Sequence, residues 1–336
     1  MAPGPVLINA RAATRPELGG VERWAREVTA RLPQLDPETY EVVRPPQRFV
    51  HRAGHAWEQL VLPAHARRAA LLLSPANLAP LAFPRNVVVV HDAAALREPA
   101  WYSRLYVTWQ RAILPALAGR ALHLVTVSQF SRTELTDLLG ADPARITVIP
   151  GGVDERFRPD AEPARRERPY VITVASRTAR KNLAALEETA RRLRADGVDL
   201  VAVGGDRPQF AGEGGDFGLV WAGHVDDANL PGLYAGAEAF VLPSHYEGFG
   251  LTVLEAMASW TPVVTSNTTA LPELVADAGI LVDPDDQGAI ADAVQRAMGD
   301  AELGARGAER ARAYTWASSA EQLHGLLTRL RHTAAP

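Results

Sequence analysis

The sequence contains no cysteine, which excludes disulfides and thiolate-held metal or redox centres and is compatible with a reducing compartment. Long apolar runs are missing too: the stretches around Asn86–Val90 and Pro169–Ala175 fall far short of the roughly 20 residues that span a bilayer. Met1–Pro5 has no basic residue and Val6–Ile8 is too short for the apolar part of a signal peptide, so a cytoplasmic protein is expected. Lysine is almost absent. Of 35 basic residues 34 are Arg, and Lys181 is the single Lys. A compact ammonium and a planar guanidinium fork are not interchangeable, so the one Lys is either a place where a point charge is wanted or a chance survivor of a drift to arginine. No Asp-x-Asp stands at a predicted strand end, and Asp283-Pro284-Asp285 falls in a loop, so nothing in the sequence asks for a metal or another cofactor.

What is present reads as two domains. At 336 residues the chain can bury two cores of about 150 residues each. Short apolar segments predict strands at Val6–Asn9, Tyr40–Val43, Leu71–Leu73, Val87–Val90, Leu124–Val127 and Arg145–Pro150, then at Tyr170–Ala175, Leu200–Val203, Gly218–Trp221, Ala239–Leu242 and Pro262–Thr265. Between them lie stretches of helical character, including Val21–Leu32, Trp57–Ala70, Trp101–Leu117, Leu183–Asp196 and Leu251–Ser259. Strands alternating with helices predict an α/β protein of doubly wound parallel sheets, whose ligands collect at the C-terminal strand ends. The expected domains are residues 1–160 and 161–316, with Arg156–Arg168, rich in Pro and charge, between them. Residues 1–160 carry 19 Arg against 15 acidic residues, while 161–336 carry 16 basic against 24 acidic. That imbalance is either solvated surface or a face for an acidic acceptor or an anionic membrane, and it gives no ground for a nucleic-acid partner.

Chemistry concentrates in Ala239–Pro262, AFVLPSHYEGFGLTVLEAMASWTP. It reads as a buried strand, a glycine-containing turn and the start of a helix. Such a junction presents free N–H groups, here around Gly248, Phe249, Gly250, Leu251 and Thr252, backed by the positive end of the helix dipole, and so suits a phosphate. Glu247 precedes those amides and Glu255 lies about 6 Å up the helix axis from Leu251. One carboxylate on each side of an anion site matches a nucleotide sugar, with sugar hydroxyls at one end and a ribose diol at the other; solvated surface glutamates would show the same spacing. Lys181 follows a predicted strand end in Ser176-Arg177-Thr178-Ala179-Arg180-Lys181-Asn182, another junction where a phosphate could bind. In the first half, Gly19-Gly20 opens a helix and His91-Asp92 follows a strand. Either could serve a ligand or only a turn. The aromatic and basic Trp101–Leu117 leaves peripheral contact with a membrane open.

Glu247-Gly248-Phe249-Gly250 followed by Leu254-Glu255-Ala256-Met257 resembles the donor-site signature of the retaining glycosyltransferases of family 4, which have the GT-B fold of two Rossmann-like domains facing each other across a cleft. Arg180-Lys181-Asn182 resembles the family's diphosphate clamp, although Ser176 stands where its arginine is expected and Arg177 lies one place later. Gly19-Gly20-Val21-Glu22-Arg23 looks like the turn that closes over the diphosphate. Val90-His91-Asp92 is similar to the segment that places a histidine near the transferred sugar, and Gly223-His224-Val225 to the one that passes the base. Trp260 and Ala276 stand where glycine or another small residue is usual.

The resemblance implies an acceptor domain with the C-terminal helix, residues 317–336, packed back on it, and a donor domain after it. It further implies metal-independent, retaining transfer of a mannose-, rhamnose- or glucose-type hexose from a nucleotide diphosphate sugar to a glycan, lipid-linked or small-molecule acceptor. Glu247, His91, Lys181 and Arg177 would carry the reaction. Gly19, Gly20, Gly248, Phe249, Gly250, Leu251, Thr252, Glu255 and Val225 would bind the donor. A nucleotide-sugar epimerase or a non-catalytic nucleotide-sugar-binding protein of the same fold stays open.

Overall fold

The computed structural model describes residues 4–15, 19–49, 54–205 and 215–333. The chain divides into two compact units. The first comprises residues 1–97, 108–152 and 315–336, and the second residues 98–107 and 153–314.

The first unit holds six parallel strands, β1 (Val6–Asn9), β2 (Tyr40–Val43), β3 (Leu71–Ser74), β4 (Asn86–Val89), β5 (His123–Thr126) and β6 (Ile146–Val148), in the order β2-β1-β3-β4-β5-β6. Strands β1, β3, β4 and β5 are buried throughout, as near-continuous apolar runs in a parallel sheet require. The C-terminal helix Trp316–Thr333 packs on this unit through Trp316, Ala320, Leu323, Leu326 and Leu327. It is tied there by Arg331, which donates to the Gly4 carbonyl and to Thr39 Oγ1, each at 2.8 Å, and by a 2.8 Å contact between Tyr40 Oη and His324 Nδ1.

The second unit repeats the plan with β7 (Tyr170–Val174), β8 (Asp199–Val203), β9 (Val220–Gly223), β10 (Ala239–Leu242), β11 (Val263–Ser266) and β12 (Ile280–Val282), ordered β12-β11-β10-β7-β8-β9 and all parallel. The last of these, the edge strand β12, is not among the strands read from the sequence. Residues 153–164, read from sequence as the end of the first domain and a linker, pack on this unit. The Val153 N–H donates to the Tyr314 carbonyl at 3.0 Å, the Ala164 N–H donates to the Gly232 carbonyl at 2.8 Å, and the Phe157 ring stands edge-on to Tyr234.

Three predicted helices differ from expectation. Leu183–Asp196 opens as a 3-10 turn, Leu183–Leu186, before the helix Glu187–Ala195. Trp57–Ala70 is two short helices, Gly54–Leu60 and Leu62–Ala66, because Pro63 lacks the N–H that would continue the first and suits the start of a second. Trp101–Leu117 begins as a 3-10 turn, Pro99–Trp101, and its helix is Arg104–Arg120.

Trp260 and Ala276 both adopt positive φ, +64° and +50°. At Trp260 the geometry is a Schellman close of the helix Leu251–Ala258: the Trp260 N–H donates to Met257 O at 3.1 Å and the Thr261 N–H to Ala256 O at 3.0 Å. An L-residue pays roughly 1–2 kcal/mol for that conformation, less the extra chain entropy that glycine would lose on folding. Trp260→Gly is therefore expected to raise stability over Trp260→Ala by about 0.5–1 kcal/mol. Thermal denaturation checks this, and a glycine variant no more stable than the alanine one would refute the cap assignment.

Candidate functional site

In the second unit, β10 delivers the chain into Pro243–Gly250, and the loop returns as the helix Leu251–Ala258. Gly250 is the residue before that helix, with φ +104°. The conformation therefore demands glycine, and a Cβ there would also push on Leu271 Cδ2 at 2.9 Å. Glu247, in the middle of the loop, is buried. Its Oε1 accepts from Lys181 Nζ at 2.5 Å and from Ser244 Oγ at 2.8 Å, and its Oε2 lies 3.6 Å from Arg180 Nη1. Burial pushes the carboxyl up, but the ammonium of Lys181, the guanidinium of Arg180 and the two hydrogen bonds outweigh it and hold the group below the usual carboxylate range.

Lys181 reaches this position from the short turn Ala179–Lys181 that follows β7. The turn closes on Asn182 at φ +53°, a conformation Asn tolerates, and Asn182 Nδ2 donates to the Pro284 carbonyl at 2.8 Å. The backbone of the two loops is also joined, since the His245 N–H donates to Arg180 O at 3.0 Å and Arg180 Nη1 donates to Tyr246 O at 3.1 Å. Residues 98–107 belong to this unit. Trp101 lies almost parallel to the His245 ring, with centroids 6.4 Å apart, and edge-on to Tyr246 at 6.3 Å.

The other donor candidates are placed as follows. Glu255 is buried in the helix Leu251–Ala258, and its Oε2 accepts from Tyr234 Oη at 3.1 Å. Leu251 and Thr252 form the first turn of that helix and are half-buried, while Gly248 is buried. Phe249 packs on the core of the unit, edge-on to Tyr314 with centroids 5.9 Å apart. Val225, after β9, packs on the same core. Arg177 takes a different direction from Arg180: its guanidinium stacks over the Trp221 ring at 4.4 Å and donates to the Gly215 carbonyl at 2.8 Å. The structure thus gathers Glu247, Lys181, Arg180 and Ser244, and sets Arg177 on the side of β9.

Sequence reasoning did not single out Ser244, Tyr234 or Arg180 as site residues. Arg180 was adjacent to the lone lysine and could have been found by that neighbourhood. Ser244 stands three residues before Glu247 in the same loop, whereas Tyr234 carries no local signal and only the fold brings it to Glu255.

In the first unit, His91 follows the C-terminal end of β4 and is buried. Its Nε2 lies 3.1 Å from the Pro75 carbonyl; a carbonyl only accepts, so Nε2 carries the proton and Nδ1 has none in the neutral ring. Burial lowers the imidazole's pKa, against smaller opposing effects of the Pro75 carbonyl, Asp92 and Glu22, so the ring is neutral at neutral pH. Trp24 stands edge-on to it at 5.6 Å, and the Ser131 hydroxyl donates to its carbonyl at 3.0 Å. Gly19 and Gly20 open the helix Gly20–Leu35. The Gly19 N–H donates to Glu22 Oε2 at 3.2 Å, and Glu22 is paired with Arg15 at 3.4 Å. Among the described residues, no helix is long and apolar enough to cross a membrane, and no group of three or more His, Asp or Glu could hold a metal ion.

Comparison with known proteins agrees with this geometry. Residues 18–157 match the family described as Glycosyltransferase Family 4, and residues 168–300 match that described as Glycosyl transferases group 1. The O-antigen chain mannosyltransferase B of Escherichia coli is 32% identical over 262 residues, covering 71% of this chain and 68% of that protein. A glycogen synthase of Mycobacterium tuberculosis is 31% identical over 237 residues, 67% of this chain and 57% of its own length. Among solved structures, the sucrose-phosphate synthase of Thermosynechococcus elongatus superposes with a TM-score of 0.77 at 19% identity, covering 99% of this chain and all of that one. Anabaena HepE in complex with UDP-glucose does so with a TM-score of 0.70 at 16% identity, over 97% of this chain and 100% of that one. Two six-stranded parallel sheets, the site at the C-terminal end of β10 and these likenesses together place the chain in glycosyltransferase family 4, with the GT-B fold.

Proposed function

We propose that the protein is a retaining hexosyltransferase that moves a mannose-, rhamnose- or glucose-type sugar from a nucleotide diphosphate donor to an acceptor hydroxyl without a metal. The observation that carries this reading is the cluster of Lys181, Arg180 and Ser244 around the buried carboxylate of Glu247, immediately before the helix Leu251–Ala258. It combines a fixed acceptor for sugar hydroxyls with positive charge and helix N–H groups for a diphosphate. The relatives agree in kind: one is named a mannosyltransferase, and one structure holds UDP-glucose.

The hard step is departure of the nucleoside diphosphate. Lys181, Arg180 and the amides of Phe249–Thr252 stabilise the charge that develops on it, in surroundings already organised for the purpose. Glu247 accepts from a hydroxyl of the transferred hexose. Glu255, held by Tyr234, accepts from the ribose diol, and the backbone near Val225 reads the base, with Arg177 on that side. In the first unit, His91, with its Nδ1 unprotonated, and the Gly19-Gly20 turn are that unit's candidates for the sugar and the diphosphate. The acceptor is a glycan, lipid-linked or small-molecule hydroxyl bound by the first unit, and the protein works in the cytoplasm or at the inner face of the membrane.

A panel of UDP-, GDP- and dTDP-sugars, screened by thermal shift with and without a chelator, tests the reading. The true donor at 100 times its Kd stabilises by about 2.7 kcal/mol, and the shift is expected to survive EDTA. No sugar nucleotide raising the melting temperature would overturn the proposal.

A further inference from the structure

The loop Asn267–Ala270, between β11 and the helix Leu271–Val275, contains a conformation that its sequence does not favour. Thr269 has φ +59°, in the left-handed region, where a β-branched residue is an outlier because its γ substituents crowd the backbone. Such strain persists only where the surroundings over-determine it, and it concentrates at functional sites. What adjoins Thr269 is the main chain of Glu247. The Glu247 N–H donates to Thr269 Oγ1 at 3.1 Å, the Ala270 N–H donates to the Glu247 carbonyl at 3.4 Å, and Thr268 Oγ1 donates to the His245 carbonyl at 3.4 Å. Both backbone groups of Glu247 are thus tied to one loop.

That loop is anchored at both ends. The Asn267 N–H donates to Val282 O at 2.8 Å, and Arg310 grips the following helix through the carbonyls of Leu274 and, at 2.7 Å, Glu273. Glycine, which a positive φ favours, would relieve the strain but has no oxygen to receive the Glu247 N–H. A hydroxyl on Cβ is therefore the feature that explains threonine here.

We propose that Thr269 is a positioning residue: it sets the Glu247 carboxylate against Lys181 by holding the Glu247 backbone, and its strained conformation is kept for that hydrogen bond. The inference rests on the reading of Glu247 as a donor-site carboxylate and adds a residue that no part of the donor signature contains. Thr269→Ser and Thr269→Ala test it as a pair, because both have an unbranched Cβ at the same φ and differ only in the hydroxyl. Hydrogen exchange resolved to residues 244–250 is expected to be about tenfold faster in the alanine than in the serine variant. With the donor found by the thermal-shift panel, Thr269→Ser is expected to keep kcat within about twofold, and Thr269→Ala to lose about tenfold in kcat with an unchanged Kd for the nucleoside diphosphate. Equal exchange, or equal kcat, in the two variants would overturn the proposal. A wild-type protein that binds no sugar nucleotide sinks the donor reading instead, and the exchange comparison still decides whether Thr269 holds Glu247.

Discussion

Glu247→Ala is expected to abolish transfer and, at the same time, to lower the melting temperature markedly. The first effect follows from the proposed role of Glu247 as acceptor for a sugar hydroxyl: without it the sugar is no longer held in place, and a misplacement of about 1 Å costs on the order of 100-fold in rate. The second follows from the company that Glu247 keeps. Lys181, with its side chain 11% exposed, and Arg180, 14% exposed, both face the carboxylate. Removing it takes the carboxylate from a mostly buried ion pair, at a cost of about 3–5 kcal/mol, on the order of 10 °C for a unit of this size. The two effects can be separated. Glu247→Leu combined with Lys181→Met replaces the pair by apolar groups of similar volume, and such exchanges are often neutral or stabilising. The double variant is expected to regain much of the lost melting temperature and none of the lost transfer. Recovery of transfer together with stability would show that the pair only holds the fold. The wild-type contribution also has a pH signature. The carboxyl is held below its ordinary value of 4.5, so its stabilisation is fully present above that pH and fades as the pH falls toward the lower, folded-state value.

The sheets were legible in the sequence because parallel strands buried on both faces are written as uninterrupted apolar runs, such as Phe240-Val241-Leu242 and Val87-Val88-Val89. The strand β12 is missing from the sequence reading although Ile280-Leu281-Val282 is an apolar run of the same length; at the sheet edge only its Val282 is buried. At the site, what could be read was whatever a junction of strand, turn and helix dictates locally: Gly250, the helix amides and Lys181 at the end of β7. What could not be read was which side chains meet across loops far apart in sequence. The sequence assigns Lys181 to phosphate and Glu247 to sugar, 66 residues apart, yet in the structure they meet at 2.5 Å. The Thr269 hydroxyl meets the Glu247 N–H from a position whose local sequence says nothing of it. Trp260 and Ala276 illustrate the converse case. They break the expected pattern of small residues, and the backbone keeps the positive φ nonetheless, because the hydrogen bonds that close the helices fix it more firmly than the side chain opposes it.

Lys181→Arg is the other substitution expected to have a large effect, although the chain carries arginine at every other basic position. If the residue only supplied charge on a surface, the exchange would change stability by no more than about 0.5 kcal/mol. Its surroundings exclude that role. Nζ is seated on Glu247 Oε1 at 2.5 Å, and the neighbouring Arg180 already stands 3.6 Å from Oε2, so a second guanidinium has no free edge of the carboxylate to grip as a fork. The longer, planar group must displace either Glu247 or Arg180. Overpacking of this kind costs about 1–3 kcal/mol, and a shift of about 1 Å at a reacting centre costs on the order of 100-fold in rate. A fall in kcat of at least about tenfold is therefore expected, with a modest fall in melting temperature. Lys181→Ala is expected to fall further in both, because the leaving diphosphate loses a charge and Glu247 loses its partner. Steady-state kinetics of the two purified variants, read beside their melting curves, decide the matter. Wild-type turnover in Lys181→Arg would mean that the lone ammonium is an accident of composition and that Arg180 is sufficient for the leaving group.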